Sequence, residues 1–399
     1  MTTCAGQDRR LAGRALFMLA VAAGSAIASN YAMQPALPEI AADFGVEVAS
    51  LTTVISGAIA GYLIGLVLLV PLVDRVSPRV LIPGQFLALA LSLALAAWAA
   101  SPDALVGCFV LIGATTTVAA QSSAIVGKLA DASRRALSMA AISAGISAGI
   151  LLSRFIGGLL VQWLGWRSAL LVLAALTAVC GLCVFPLLPA QRPVGHIGYF
   201  STLRALPSLL RQSRELRLRI CAGMLWFFAF NLIWVGLVVR LAAPPYHLNA
   251  ASIGLYSLAG LTGLAMTRIA GGLADRFGNC RVMVCGLLCA SLAASALGVV
   301  LDHVPATLVA LAIFDAGCFA AQVANQAGVV AIDPLRSGVL NSVYLFFYYG
   351  AGAAGTAIAG SIALRGGWET TALLAACAVA AAAVVSACLR AFSRADGSD

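Results

Sequence analysis

Apolar residues in this chain come in runs of about twenty, the length a helix needs to cross a hydrocarbon core of about 30 Å. Twelve such runs can be read: Ala12–Tyr31, Val48–Val70, Arg79–Ala100, Ala104–Lys128, Ser138–Val161, Ser168–Leu188, Leu218–Leu241, Ser252–Gly272, Val282–Leu301, Ala306–Val330, Val339–Leu364 and Trp368–Arg390. Barrel strands would instead alternate apolar and polar residues over about ten positions. Backbone groups in hydrocarbon have no water to bond, so each run has to satisfy its own amides and carbonyls as a helix. The pattern predicts an all-α membrane protein, multi-pass, with an even number of crossings and both termini on one side.

The polar punctuation repeats. Asp74 and Asp275 are 275 − 74 = 201 residues apart, Arg79 and Arg281 are 202 apart, and Gly165-Trp166 returns as Gly367-Trp368, again after 202. Asp131 with Asp333 and Arg135 with Arg336 keep the same interval. One chain therefore holds two copies of a six-helix unit, the internal symmetry common in secondary transporters. The predicted organisation is a first bundle at 1–189, a cytoplasmic linker at 190–217 and a second bundle at 218–399.

Composition agrees and narrows the class. Hydrophobic residues make up 62% and charged residues 10%, whereas soluble domains are about 45–50% apolar. The net charge of +9 would suit nucleic acid, but the basic residues lie scattered in turns between apolar runs. They sort by side. Arg9, Arg10, Arg14, Arg75, Arg79, Lys128, Arg134, Arg135, Arg276, Arg281, Arg336, Arg390 and Arg394 fall on one face with the linker arginines through Arg219, while the opposite loops hold Arg167, Arg240 and Arg365. The positive-inside rule then puts both termini in the cytoplasm, with the first apolar run retained as a span. Ile197 to Arg219 reads as a basic linker that enforces topology, with a helix lying along the headgroups as the alternative. Cys180 and Cys183 read as small apolar filler, and no metal or cofactor site is expected.

Twelve spans, two copies, a long central loop and the turn GGLADRFGNCR at Gly271 to Arg281 together resemble the major facilitator superfamily of secondary transporters. The resemblance implies a fold of two pseudo-symmetric six-helix bundles that tilt against each other, working as a single chain in the bacterial cytoplasmic (inner) membrane. It also implies a gating turn at Gly271, Asp275, Arg276, Gly278 and Arg281, and a looser copy at Asp74, Arg75 and Arg79, where Val70 replaces the usual glycine and Ser77-Pro78 forms the turn. An Asp at a helix end can pair with an arginine and the amides of a neighbouring helix, which would make each turn a latch. The fifth run, GISAGILLSRFIGG, is similar to the glycine motif of the family's antiporters, with Gly145, Gly149, Gly157 and Gly158 in place and Ser153-Arg154 where Gly-Pro is usual. The segments YAMQPALPEIAADFGV and SVYLFFYYGAGAAGTAIAG look like a bacterial branch of arabinose-efflux-like and drug-efflux permeases.

Two charges fall deep inside spans. An ionised carboxylate at the position of Asp315 costs at least ~2.5–3.5 kcal/mol, so such groups usually line a cavity and act there. Asp315 is the expected proton-coupling acid, taking up and releasing a proton as its surroundings dry and fill; a neutral structural Asp is the alternative. Arg154 cannot shed its proton. It either pairs with Asp315 or holds a substrate anion, and its repeat equivalent is Thr356 (154 + 202).

The resemblance assigns the cavity lining to the first, fourth, seventh and tenth spans. That nominates Asn30, Gln34, Gln121, Asn231, Gln322, Asn325 and Gln326 as cargo contacts, though each alone is more often an interhelical bond worth ~0.6 kcal/mol. Trp226, Phe227, Phe230 and Trp234 line the same cavity or sit in an interfacial belt.

No nucleophile-base pair or phosphate loop stands in the spans, so the expectation is a transporter and not an enzyme. The leading reading is a proton-coupled exporter, an antiporter, of a small organic solute such as a drug, sugar or metal-chelating metabolite. A proton-coupled importer of a small metabolite is the alternative, and an intramembrane sensor or enzyme ranks below both. The partners expected are substrate, proton and lipid bilayer.

Overall fold

A computed structural model describes residues 13–129, 135–188, 213–333 and 337–395. Their regular structure is helical, without a strand among the described residues. Eleven helical stretches are long and apolar enough to cross a membrane: Gly13–Phe44, Val48–Val73, Pro78–Ala97, Pro102–Val126, Ala144–Leu164, Trp166–Leu187, Arg214–Ala242, Ala250–Phe277, Asn279–Val300, Val304–Ile332 and Val339–Ala391. The last is two. Gly367 takes φ 72° and ψ −176°, outside the helical region, and divides the helix Ser337–Ala395 into 337–366 and 368–395. Spans one to twelve below are these stretches in chain order.

Several boundaries move from where hydropathy puts them. Span one does not stop at Tyr31: a 3-10 turn at Gln34–Ala36 carries it into a further helix, Leu37–Phe44. Pro35 lacks an N–H and breaks the α-helical ladder without ending the span. Asn30 and Gln34, expected at a helix end, therefore stand near the middle of a 32-residue crossing. Span seven begins at Arg214, where the Ser213 hydroxyl accepts the Leu216 amide at 3.1 Å, so residues 214–217 of the expected linker are helix. The remainder of that linker, residues 190–212, lies outside the described residues.

The chain forms two compact units. The first comprises Met1–Phe44, Gly57–His196 and Asn249–Leu255; the second comprises Gly45–Ser56, Ile197–Leu248 and Tyr256–Asp399. The repeat read from the sequence is visible inside each. Gly165 (φ 78°) and Gly367 (φ 72°) make the reversal between spans five and six and between eleven and twelve. A side chain at that φ is strained, so glycine recurs. The tryptophan after each anchors its turn: Trp166 Nε1 donates to Asp43 at 3.2 Å and Trp368 Nε1 donates to the Leu297 carbonyl at 2.6 Å. Arg167, expected from sequence in an opposite-side loop, stands in the first turn of span six and bonds the same Asp43 oxygen at 3.0 Å and the Ala97 and Ala99 carbonyls.

Glycines set the close crossings. In the first unit, Gly145, Gly149 and Gly157 of span five face the backbone of Ala20, Gly24 and Ala32 of span one so closely that a Cβ would not fit. Gly158 meets Ala250 in the same way. In the second unit Gly360 meets Ala49, and both partners keep the repeat interval, 360 − 158 = 202 and 250 − 49 = 201. Small residues let backbones touch where lipid supplies no hydrophobic drive between helices.

Candidate functional site

In the first unit the polar groups gather where spans one and four are both broken. Span four is two helices, Pro102–Thr115 and Val118–Leu129, and the break falls on Thr115-Thr116-Thr117. Each threonine hydroxyl donates to a carbonyl three or four residues back, which competes with the helix ladder: Thr115 to Leu111 at 2.8 Å, Thr116 to Gly113 at 2.8 Å, Thr117 to Ala114 at 2.6 Å. Asn30 reaches this break from span one, its Nδ2 donating to Thr116 Oγ1 at 2.9 Å. Gln85 of span three, which no sequence motif singles out, donates to the Thr115 carbonyl at 3.0 Å and to Thr117 Oγ1 at 2.9 Å. A run of three threonines inside an apolar stretch was the available signal.

Arg154 lies beside that node. It is 2% exposed, its Nε donates to Gln34 Oε1 at 2.6 Å, and its guanidinium carbon sits 5.1 Å from the centre of the Tyr31 ring. An acceptor at the edge and a ring near the face orient the planar cation. Gln121 does something different. Its Nε2 donates to the Leu69 carbonyl at 2.6 Å, where the α-helix of span two ends and a 3-10 turn, Val70–Asp74, begins.

In the second unit Asp315 stands 315 − 304 = 11 residues into span ten, roughly 16 Å along the helix. It is fully buried, and Trp234 Nε1 donates to its Oδ1 at 3.1 Å. Trp226, Phe227, Phe230 and Trp234 are buried and form no interfacial belt. Phe227 stacks on Tyr348 with ring centres 3.8 Å apart, and Phe230 stacks on Phe314 at 6.3 Å. The amides nominated from sequence are mostly engaged with protein. Asn231 donates to its own helix at the Phe227 carbonyl, 2.8 Å. Asn325 donates to the Arg219 carbonyl at 2.9 Å. Gln322 accepts the Tyr344 hydroxyl at 2.7 Å, and Gln326 donates to Asn341 at 2.9 Å.

The two gating turns differ. Gly278, at φ 87°, ends span eight and starts span nine; in the first copy Ser77 takes φ −61° after a 3-10 turn. Asp275, Arg276 and Arg281 are exposed, Arg276 lies 5.2 Å over Phe277 and Arg79 lies 4.8 Å over Phe185. Gly271 has open space about it and Arg75 is exposed. Asp275 makes no ion pair with a described residue. The Asp74 side chain lies outside the described residues.

The family model described as Major Facilitator Superfamily matches residues 19–327 and 219–398, almost the full length. The chain belongs to the Major Facilitator Superfamily. This superfamily chain is 30% identical over 361 residues to the uncharacterized transporter YgaY of Escherichia coli O157:H7, covering 90% of this chain and 92% of the relative. It is 33% identical over 376 residues to SCO4007 of Streptomyces coelicolor, named a probable transporter, with 93% and 85% covered. The crystal structure of a point mutant of the nucleoside transporter NupG superposes with a TM-score of 0.77 at 14% identity, covering 94% of this chain and 99% of that one. At that identity the likeness establishes the fold, twelve membrane helices of the facilitator type, and nothing of the cargo.

Two arginines of this facilitator chain change meaning in three dimensions. Arg219, read as one of the topology charges of the central connection, is 5% exposed. Its NH2 pairs with Glu215 at 2.7 Å and its NH1 approaches Met283 Sδ at 3.9 Å. Arg268, absent from the sequence assignment of sides and sites, is exposed on span eight, 277 − 268 = 9 residues before its end.

Proposed function

We propose that this protein is a proton-coupled exporter of a small organic solute, operating by alternating access in a bacterial inner membrane with both termini cytoplasmic. The observation that carries the reading is Asp315, a carboxyl buried at mid-span that accepts the indole N–H of Trp234. A charged carboxylate in hydrocarbon is costly and a neutral one is not, so any state that admits water to Asp315 releases a proton and any state that excludes water takes one up. In this reading Arg154, held by Gln34 and Tyr31, presents a fixed positive charge to an anionic or zwitterionic cargo, with Asn30 beside it. Gln121 ties a helix break and Asn325 a helix crossing, Asn231 stays a cargo contact of the second unit, and Gln322 keeps a cargo role as a half-buried side chain. The outward direction rests on the glycine motif of span five, Gly145 to Gly158. The turns at Asp74 and Asp275 act as latches closed in the other state of the cycle.

The test is transport in everted vesicles with an acid interior, using a panel of sugars, antibiotics and metal-chelating metabolites read by mass spectrometry. Accumulation driven by the pH gradient is expected, and Asp315→Asn is expected to abolish it while leaving solute-for-solute exchange intact. Accumulation confined to right-side-out vesicles would make the protein an importer, and equal gradient-driven transport by Asp315→Asn would remove the carboxyl from coupling.

A further inference from the structure

Span four breaks in apolar surroundings, and one side chain from a neighbouring helix takes up the backbone group that the break exposes. In an unbroken helix the Thr115 carbonyl would receive the Ala119 amide; here that amide goes to the Thr116 carbonyl at 3.1 Å. The Thr115 carbonyl receives Gln85 Nε2 at 3.0 Å instead, and the second hydrogen of the same nitrogen goes to Thr117 Oγ1 at 2.9 Å. Gln85 is 6% exposed, so this is a buried exchange of partners, and a buried carbonyl without a donor is costly. A side chain inserted into the helical ladder is a recognised cause of a sharp bend.

The second copy of the repeat lacks the glutamine and shows the difference. Leu287 stands at the position of Gln85 (85 + 202) and is fully buried. Gly317, Cys318 and Phe319 stand where Thr115, Thr116 and Thr117 do, and span ten runs unbroken through them from Val304 to Ile332. Asn231, the counterpart of Asn30 (30 + 201), bonds back to the Phe227 carbonyl of its own helix at 2.8 Å. In the first copy Asn30 reaches across to the break.

The break also decides which end of Asn30 is left over. Thr116 Oγ1 gives its single hydrogen to the Gly113 carbonyl, so toward Asn30 it can only accept, and Asn30 has to offer its NH2 group. The other end, Oδ1, is buried with no hydrogen-bond partner among the described residues. A buried acceptor of that kind calls for a donor.

We propose that Gln85 is a positioning residue for transport: it holds the break in span four, fixes Thr116 as the acceptor for Asn30, and so commits the Asn30 carbonyl oxygen to cargo, selecting solutes that carry an ammonium or hydroxyl donor. The inference rests on the cargo role given to Asn30 in the transport reading and deepens it by naming the group on the cargo that is recognised.

Two measurements test it, and neither uses a proton gradient or a direction of transport. Hydrogen exchange on the purified protein reads the break itself. Gln85→Leu, the residue of the second copy, releases the Thr115 carbonyl to the Ala119 amide, so the amides of residues 117–119 are expected to exchange about three- to tenfold more slowly than in the wild type, the factor that one added hydrogen bond supplies. Gln85→Met, close in shape and without hydrogens to give, serves if the leucine variant does not accumulate. Exchange at 117–119 that is unchanged or faster in the variant would overturn the positioning role. Affinity-selection mass spectrometry reads the cargo. Its probes are amine- or hydroxyl-bearing sugars, antibiotics and metal-chelating metabolites, each paired with its fully methylated derivative. The wild type is expected to retain a donor-bearing member at least about tenfold over its methylated partner, and Gln85→Leu and Thr116→Val are expected to narrow that ratio below about threefold. Thr116→Val, which leaves the Gln85 bonds in place, is expected to do so without slowing exchange at 117–119. Equal retention of both members of every pair, or a ratio untouched by Gln85→Leu, would overturn the cargo selection, whatever becomes of export.

Discussion

The guanidinium of Arg219 fills the space that a side chain at Gly328 would occupy. Span seven thereby lays a buried cation on the backbone of span ten, with Glu215 one turn earlier neutralising it at 2.7 Å. The Arg219 carbonyl also receives the Asn325 amide. A residue that looks in sequence like one more cytoplasmic charge is thus a packing element of the second unit.

Substituting Gly328 should therefore be costly. Gly328→Ala forces the guanidinium off Glu215, and a loss of about 1–3 kcal/mol is expected from overpacking alone, read as a lowered Tm of the detergent-solubilised protein. Combining Gly328→Ala with Arg219→Ala should recover part of the loss, because the clash then has no partner.

The span one to span five crossing should discriminate sharply among glycines. Gly149→Val and Gly157→Val place branched side chains into the backbone of Gly24 and Ala32 and are expected to prevent accumulation of folded protein. Gly84→Ala and Gly107→Ala, with open space at their Cβ positions inside helices, should be neutral or gain up to about 1 kcal/mol from helix propensity. Fluorescence-detected size exclusion of tagged variants distinguishes the two sets.

Gln34→Leu removes the acceptor on the Arg154 Nε. A hydrogen bond to a charged group is worth about 1.5–3 kcal/mol, so a stability loss in that range is expected, together with a larger fall in transport of acidic solutes than of neutral ones. Gln34→Glu should retain the stability. Equal effects on acidic and neutral solutes would show that Arg154 is a structural cation only.

The two turns of the repeat predict an asymmetry. Gly278→Ala puts a side chain at φ 87° and ψ 145°, a region almost reserved for glycine, and should cost roughly 1–3 kcal/mol, whereas Ser77→Ala, at φ −61°, should cost less than about 0.5 kcal/mol. Thermal unfolding of the two variants side by side checks it.

Hydropathy determined that the chain crosses a membrane twelve times as helices, because each helix meets its own backbone needs inside lipid and its apolar run is a local property; the 201–202-residue recurrence of the polar turns added that the helices form two related copies. The recurring Gly-Trp pair and the depth of Asp315 and Arg154 were equally local and equally legible. Which polar groups meet was decided only by the tertiary structure. Asn30 finds Thr116 across 86 residues and Arg154 finds Gln34 across 120, and nothing in either neighbourhood encodes the partner. The continuation of span one past Pro35 and the burial of Arg219 were hidden for the same reason. A polar residue at the edge of an apolar run reads as a boundary until the packing of other helices shows that its bonds are satisfied inside.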